Sequence, residues 1–458
     1  MAVSIVLKAL FVWASRLIIP GSYKYYFHIF KPFSNDLSEM AKKDYITFND
    51  ALKSRAPSAF STMIKPMGSA CNLNCSYCYY LDKAHTLYED YQPVMSHEIL
   101  EEYTIQYITG NEVPEVTFVW HGGEPLMAGI DFYRKAVELQ KKYASGKTII
   151  NSLQTNGILM NADWARFFHD SRFLIGISID GPKDIHDAYR VNKAGRPSYD
   201  KVMASISLMK QYGVEYNSLS VVTNMSEGRG AEVYRFLKSI GSRFMQFLPV
   251  VEHVVKSEQY ERPVMTTPGI KGSTMAPWSV SALGYGKFMT DIFDEWVVRD
   301  VGTYFVQAFD MTLAQWVGAK PGLCVYSETC GDALIVEHNG DVYSCDHFVY
   351  PEFKLGNFLE TDLLTLYRSP KQFQFGVNKR NTLPRYCQRC KYYFACRGEC
   401  PKHRFQKTET GEYGLNALCE GFRHYYKHVE PYMVYMSTLL SQKKSPALVI
   451  PWAKARMG

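Results

Sequence analysis

Residues 71–80 read CNLNCSYCYY, with cysteines spaced Cys71-x3-Cys75-x2-Cys78 directly after the run STMIKPM at 61–67. That run reads as a β-strand, so the thiols follow its C-terminal end. Three thiolates within eight residues can wrap one small cluster. A closed tetrahedral zinc site asks for four ligands, and no histidine lies close in sequence to complete it. Three protein thiolates fit a [4Fe–4S] cluster whose fourth iron stays open to another ligand. The spacing leaves two other readings open: a zinc site completed from afar, or reduced buried thiols.

Outward from this stretch the chain alternates. Strand-like runs recur as EVTFVW (115–120), TIINSLQ (148–154), FLIGISI (173–179), NSLSVV (217–222) and FMQFLPV (244–250). Helix-like stretches lie between them at 97–110, 131–144, 162–170, 199–212 and 231–240. Six strands with helical crossovers predict an α/β unit over 61–252 with a parallel sheet, open or partly closed into a barrel. Functional side chains are then expected at the strand C-terminal ends.

The flanks read differently. Residues 253–279 are rich in Gly, Pro, Ser and Thr and are expected to be loop, opening a stretch of linker and bridging helices to 321. Helices are predicted at 281–299 and 306–317. Residues 322–425 hold eight cysteines among short segments, the pattern of a small metal-ordered domain. From 426 to 458 the sequence predicts the end of a helix over 421–441 and a loose tail. Residues 1–60 read as an N-terminal extension. Its apolar start is broken by Lys8 and Arg16, leaving Ala9 to Ser15 uncharged, too short to span a bilayer. No small-residue cleavage site is clear. A poorly packed leader, or a start placed too early with Met40 or Met63 as later ones, is therefore preferred over a signal peptide or surface anchor.

Composition sets the outer limits. The 458 residues leave room for two or three cores, and an aromatic content of 14% excludes disorder for most of the chain. No run of about 18 uncharged apolar residues exists, so no membrane partner is expected. A net charge of +6, from 51 Lys and Arg against 45 Asp and Glu, gives no case for nucleic acid. The 11 cysteines are an odd, clustered count. In a secreted protein one thiol would be left over, whereas clustered thiols in a reducing compartment more often bind metal.

The remaining cysteines are Cys324-x5-Cys330, then Cys345, then Cys387-x2-Cys390-x5-Cys396-x3-Cys400, and Cys419. They make eight, two complete sets of four. Zinc is the rival here, because C-x2-C pairs are also zinc-ribbon spacing.

The segment CNLNCSYCYY resembles the signature of the radical S-adenosylmethionine (radical SAM) superfamily. The resemblance implies a partial (β/α)6 TIM-like barrel followed by a small cysteine-rich iron–sulfur domain. It also implies that S-adenosylmethionine chelates the open iron and is cleaved there to a 5′-deoxyadenosyl radical. WHGGEP (120–125) resembles the family segment that holds the methionyl amino group; SLQTNG (152–157) and SIDGP (178–182) end the next two strands. Carried over residue by residue, Tyr77, Gly123, Glu124, Ser178, Arg190 and the Val251 main chain are expected to contact the cofactor. The second cysteine set resembles the SPASM extension, which holds two auxiliary [4Fe–4S] clusters. The implied arrangement is interleaved: Cys324, Cys330, Cys345 and Cys400 on one, Cys387, Cys390, Cys396 and Cys419 on the other.

Together with GISIDGPKDIHDAYR (176–190), QFLPVVE (246–252), ETCGDALIVEHNGDVYSCDHFVYPEFKLGN (328–357) and CRGECPKHRF (396–405), these motifs resemble anaerobic sulfatase-maturating enzymes across about residues 60–440. That family oxidises an active-site Cys or Ser of an unfolded or peptide-like sulfatase to Cα-formylglycine. The resemblance implies Asp346 as general base, an electron donor such as a flavodoxin or ferredoxin, and a cytoplasmic location suited to oxygen-labile clusters. Tyr80, His121 and Gln154 are expected near the substrate. His121 stands where some relatives carry Gln, which leaves Cys or Ser preference open. Asp310 is a further acidic candidate, with a plain helix-face carboxylate as the blander reading. Two alternatives are carried: another radical SAM peptide modifier forming thioether or carbon–carbon crosslinks, and a zinc-binding interaction module.

Overall fold

The computed structural model describes residues 58–80, 83, 87, 94–256, 264–266 and 270–457. The expectations for residues 1–57 fall outside these.

Six strands run in sequence order: β1 (Ser61–Lys65), β2 (Glu115–Trp120), β3 (Thr148–Thr155), β4 (Leu174–Ser178), β5 (Tyr216–Val222) and β6 (Phe244–Pro249). All five pairings between them are parallel. The crossovers are the helices His97–Gly110, Ile130–Tyr143, Ala162–Asp170, Tyr199–Gln211 and Gly230–Ser239. Polar caps start them where the sequence places them. The Ser96 side chain accepts from the Ile99 N–H, and Asn161 accepts from Asp163 and Trp164. The helices press on the sheet through a wholly buried aromatic layer that includes Tyr103, Phe118, Trp120, Tyr133 and Phe168. Trp120 and Tyr133 meet edge-on at 5.3 Å.

The region read as linker contains a second, small antiparallel sheet. β7 (His253–Val255) is its centre, flanked by β8 (Val264–Thr266) and β9 (Thr274–Met275). Two- and three-residue strands carry no alternation of their own, so composition hid them. The helix Ala282–Val297 follows, then β10 (Phe305–Val306), which adds parallel to β6, and the helix Gln307–Trp316.

The cysteine-rich part completes the main sheet. β11 (Ala333–Glu337) lies parallel to β1, in register from Ser61↔Ala333 to Lys65↔Glu337. β12 (Asp341–Tyr343) and β13 (Lys354–Asn357) extend it antiparallel. The result is one open ten-stranded sheet, β10-β6-β5-β4-β3-β2-β1-β11-β12-β13. A cut at 322 therefore separates two chain segments that share a sheet. Gly340 turns the β11–β12 hairpin at φ +89°, and an added Cβ there would lie 2.8 Å from Asn357 Oδ1.

At the other end, the boundary expected at 425 falls inside the helix Cys419–Ser441. This helix packs on Ala282–Val297 at close range: a Cβ on Gly421 would sit 1.9 Å from the Ala282 carbonyl oxygen. The tail expected to be loose instead forms the helix Val449–Met457, with Val449 and Ala453 fully buried. Trp452 stacks on Tyr435 at 4.7 Å.

Candidate active site

The C-terminal ends of β1 to β6 surround a cavity of about 220 Å³. The loop after β1 enters it first, laced to the end of β2. Gly123 N–H donates to the Gly68 carbonyl (2.9 Å) and Glu124 N–H to that of Ala70 (2.8 Å). The approach is so close that a Cβ on Gly123 would lie 2.0 Å from Ala70 O. This lacing brings Cys71, Cys75 and Cys78 to the cavity wall. Leu73 N–H donates to Cys71 Sγ at 3.4 Å. Burial pushes the Cys75 thiol up to about 12, partly offset by Arg190. Cluster assembly must therefore displace protons from the thiols.

Asp180, in the SIDGP segment that ends β4, organises the far wall. It accepts two bonds from Arg190 (2.9 and 3.0 Å), one from Tyr77 OH (2.5 Å) and one from Val221 N–H (2.9 Å). Arg190, Tyr77, Gly123 and Ser178 all line the cavity. Glu124 and Val251 do not. Glu124 is wholly buried and ties β2 to β3, accepting from Leu126 N–H, Thr155 Oγ1 and Asn156 N–H at 2.7–2.9 Å. Local sequence reading does not reach this role, because two of its three donors, Thr155 and Asn156, lie some thirty residues on. Val251 is buried between two lining residues, Val250 and Glu252.

His121, Gln154 and Tyr80 also reach the wall. Gly122 N–H donates to His121 Nδ1 at 2.8 Å, which leaves the ring proton on Nε2. That Nε2 is buried and has no hydrogen-bond partner among the described residues. Burial holds the ring neutral, with its pKa lowered to about 4. Gln154 Nε2 donates to Ser178 Oγ (2.9 Å), and its Oε1 is likewise buried and unpartnered among the described residues. One unsatisfied donor and one unsatisfied acceptor thus belong to side chains of the cavity wall.

Asp346 sits just off the cavity, 3% exposed. Lys65, at the end of β1 and fully buried, donates to its Oδ1 at 2.6 Å. Tyr79, which lines the cavity, donates to Oδ2. Burial works to raise this carboxyl, but the Lys65 ammonium overcomes it and holds the group far below the usual carboxylate range. Lys65 was missed in the sequence, although its place at a strand end was the available signal. Lys65 Nζ also lies 3.3 Å from the Tyr80 ring centroid, and Tyr80 OH donates to Glu337. Another buried ion pair, Lys402 to Glu252 at 2.5 Å, lies close by, with Lys402 Nζ 4.7 Å from the Tyr79 ring centroid. Asp310 lies on the helix Gln307–Trp316, whose Gln307 and Ala308 reach the wall while Asp310 does not.

The other eight thiols sort by their electrostatic neighbours. Cys330 feels Cys324 and Cys400; Cys345 feels Cys324 and Cys330; Cys400 feels Cys345 and Cys324. Cys396 feels Cys419 and Cys387, and Cys419 feels Cys387 and Cys390. None of these leading neighbours crosses between the two groups. Each group offers four soft thiolates, the donor set of a closed [4Fe–4S] cluster. Among the described residues no three Cys, His, Asp or Glu side chains gather tightly enough for a single ion. From these eight, only Cys324 joins the cavity wall.

The model of the radical SAM superfamily matches residues 66–237, and that of an iron–sulfur cluster-binding domain (SPASM) matches 324–391. A serine-type anaerobic sulfatase-maturating enzyme of Bacteroides thetaiotaomicron is 47% identical over 85% of this chain and 94% of its own length. A cysteine-type anaerobic sulfatase-maturating enzyme of Clostridium novyi is 32% identical over 84% and 99%. A solved structure of native anSMEcpe with bound AdoMet and Cp18Cys peptide superposes with a TM-score of 0.73 at 29% identity, covering 84% of this chain and all of that one.

Proposed function

The chain belongs to the anaerobic sulfatase-maturating enzymes of the radical SAM superfamily, and on that premise we propose that it oxidises a serine in an unfolded sulfatase segment to Cα-formylglycine. The observation that carries this reading is one cavity lined both by Cys71, Cys75 and Cys78 and by Cys324 and His347. A substrate carbon held there lies between a radical source and an electron acceptor.

Cys71, Cys75 and Cys78 would hold the open cluster, and the two groups of four thiols would hold the closed ones. When bound, the open cluster with S-adenosylmethionine supplies a 5′-deoxyadenosyl radical that takes a hydrogen atom from the substrate Cβ, and the closed clusters carry the next electron away. The chain's residues do the rest. Arg190, fixed by Asp180, and Ser178, fixed by Gln154, shape the cofactor wall with Tyr77 and Gly123. Glu124 supports that wall from behind by tying β2 to β3; the buried Val251 backbone does so beside Val250. His121 donates from Nε2 to the substrate hydroxyl, and Gln154 Oε1 accepts from the substrate main chain.

Asp346 receives the hydroxyl proton through Tyr79, its bridge to the cavity. Its weak basicity suffices, since an α-hydroxyalkyl carbon that loses an electron makes its hydroxyl strongly acidic. Lys65 keeps the carboxylate ionised beforehand.

Two features support serine over cysteine: the 47% against 32% identity to the serine- and cysteine-type relatives, and the His121 donor. A hydroxyl oxygen is a strong acceptor for Nε2–H, whereas sulfur is a weak one. The electron donor is proposed to be a flavodoxin or ferredoxin and the location the cytoplasm. Among the described residues no helix is long and apolar enough to cross a membrane. The experiment is a competition between Ser and Cys versions of one sulfatase peptide, with reductant and S-adenosylmethionine and without oxygen. Faster loss of two hydrogens from the Ser peptide is expected; equal or faster Cys turnover overturns the preference.

A further inference from the structure

His347 touches the auxiliary thiols twice. Its ring Nδ1 lies 3.2 Å from Cys400 Sγ, and its backbone N–H serves Cys345. The two cysteines come from distant stretches of chain, and both belong to the group that reaches the cavity. The same ring meets the edge of Tyr79 at 6.0 Å, and Tyr79 directly follows Cys78. His347 also lines the cavity. It thus spans the gap between the substrate space and one auxiliary cluster.

The chemistry of this contact is set by its partner. A metal-bound thiolate has no proton to give, so the proton of this hydrogen bond sits on Nδ1. The bond strengthens as negative charge builds on the sulfur. It therefore favours the reduced form of the cluster, which carries one more electron.

We propose that His347 is a positioning and tuning residue for electron exit: its ring N–H, donated to Cys400, raises the reduction potential of the cluster held by Cys324, Cys330, Cys345 and Cys400. This rests on the three-cluster reading above. In the step it serves, the radical at the substrate Cβ gives one electron to that oxidised cluster. The hydroxyl proton goes to Asp346, and the carbon–oxygen single bond becomes the aldehyde double bond. Lys402 lies near the same thiolate, but its charge is balanced by Glu252 and is unchanged by substitution at 347.

The test uses the full chain with Cys71, Cys75 and Cys78 all replaced by Ala, so that only the two auxiliary clusters remain for an anaerobic redox titration followed by EPR. His347→Leu removes the donor, and His347→Asn keeps an amide N–H at the same branch. In the Leu variant one of the two potentials is expected to fall. At fixed applied potential its reduced-to-oxidised ratio drops about tenfold, equivalent to 59 mV for one electron, while the other cluster is unmoved. The Asn variant should recover most of that shift, which a merely structural role would not produce. Without any substitution at 347, protein labelled with ¹⁵N-histidine should show a ¹⁵N coupling to one reduced cluster, and His347→Asn should abolish it. Unmoved potentials in the Leu variant, an Asn variant shifted as far as Leu, or no ¹⁵N coupling in cluster-loaded protein would each overturn the proposal. If the parent assembles no auxiliary clusters, the three-cluster reading fails first, and this inference with it.

Discussion

The carboxylate of Asp346 is useful only because two neighbours manage it: Lys65 and Tyr79. Asp346→Asn keeps the shape and removes the proton acceptor. All three clusters and cofactor cleavage are expected to survive, measured by iron content and 5′-deoxyadenosine. Formylglycine should fall by about 100-fold or more. Lys65→Met does something different, stranding a buried carboxylate without its cation. That change is expected to cost about 3–5 kcal/mol of stability, read from anaerobic denaturant unfolding. His121 gives a pH prediction. Its ring is held at about 4 rather than the ordinary 6.5, so it stays neutral through the working range. The ratio of kcat/KM between wild type and His121→Gln should be flat from about pH 5.5 to 8.5. A step near pH 6.5 would show that the imidazole titrates freely.

At the scale of elements, the cluster loop depends on its lacing to β2. A methyl group at Gly123 would collide with the Ala70 carbonyl, and that oxygen belongs to backbone. Gly123→Ala should therefore displace the loop and lose the open cluster. Iron would fall by about four of about twelve atoms per chain, with the auxiliary EPR signals kept. The elements themselves were largely readable from sequence. β1 to β6 and their helices show clear runs between turn signals, and capping residues such as Ser96 and Asn161 mark the helix starts. What escaped has tertiary causes. β7 to β9 are two or three residues long and exist through their pairing. The last helix carries Pro451 in its first turn, a position where proline is tolerated, and holds by docking Val449 and Ala453.

Across the whole molecule, the cysteine-rich segment and the strand–helix repeat form one structure. β11 covers the whole of β1, so a chain ended at residue 321 would expose that five-residue edge. Such a truncation is expected to aggregate and to bind no open cluster. The proposed interleaving of the cluster sets could not be read from spacing, which would group Cys387, Cys390, Cys396 and Cys400. The reason lies in three successive left-handed residues, Arg397 (φ 49°), Gly398 (φ 71°) and Glu399 (φ 52°). They turn the chain between Cys396 and Cys400 and bring Cys400 beside Cys345 and Cys324. The central claim is that one cavity joins hydrogen abstraction at Cβ to electron exit. It is tested most directly with a sulfatase peptide whose target serine carries two deuterium atoms at Cβ. One deuterium is expected in 5′-deoxyadenosine for each aldehyde formed, with the other retained in the aldehyde. Aldehyde formation with deuterium-free 5′-deoxyadenosine, or deuterium transfer without aldehyde, would contradict it.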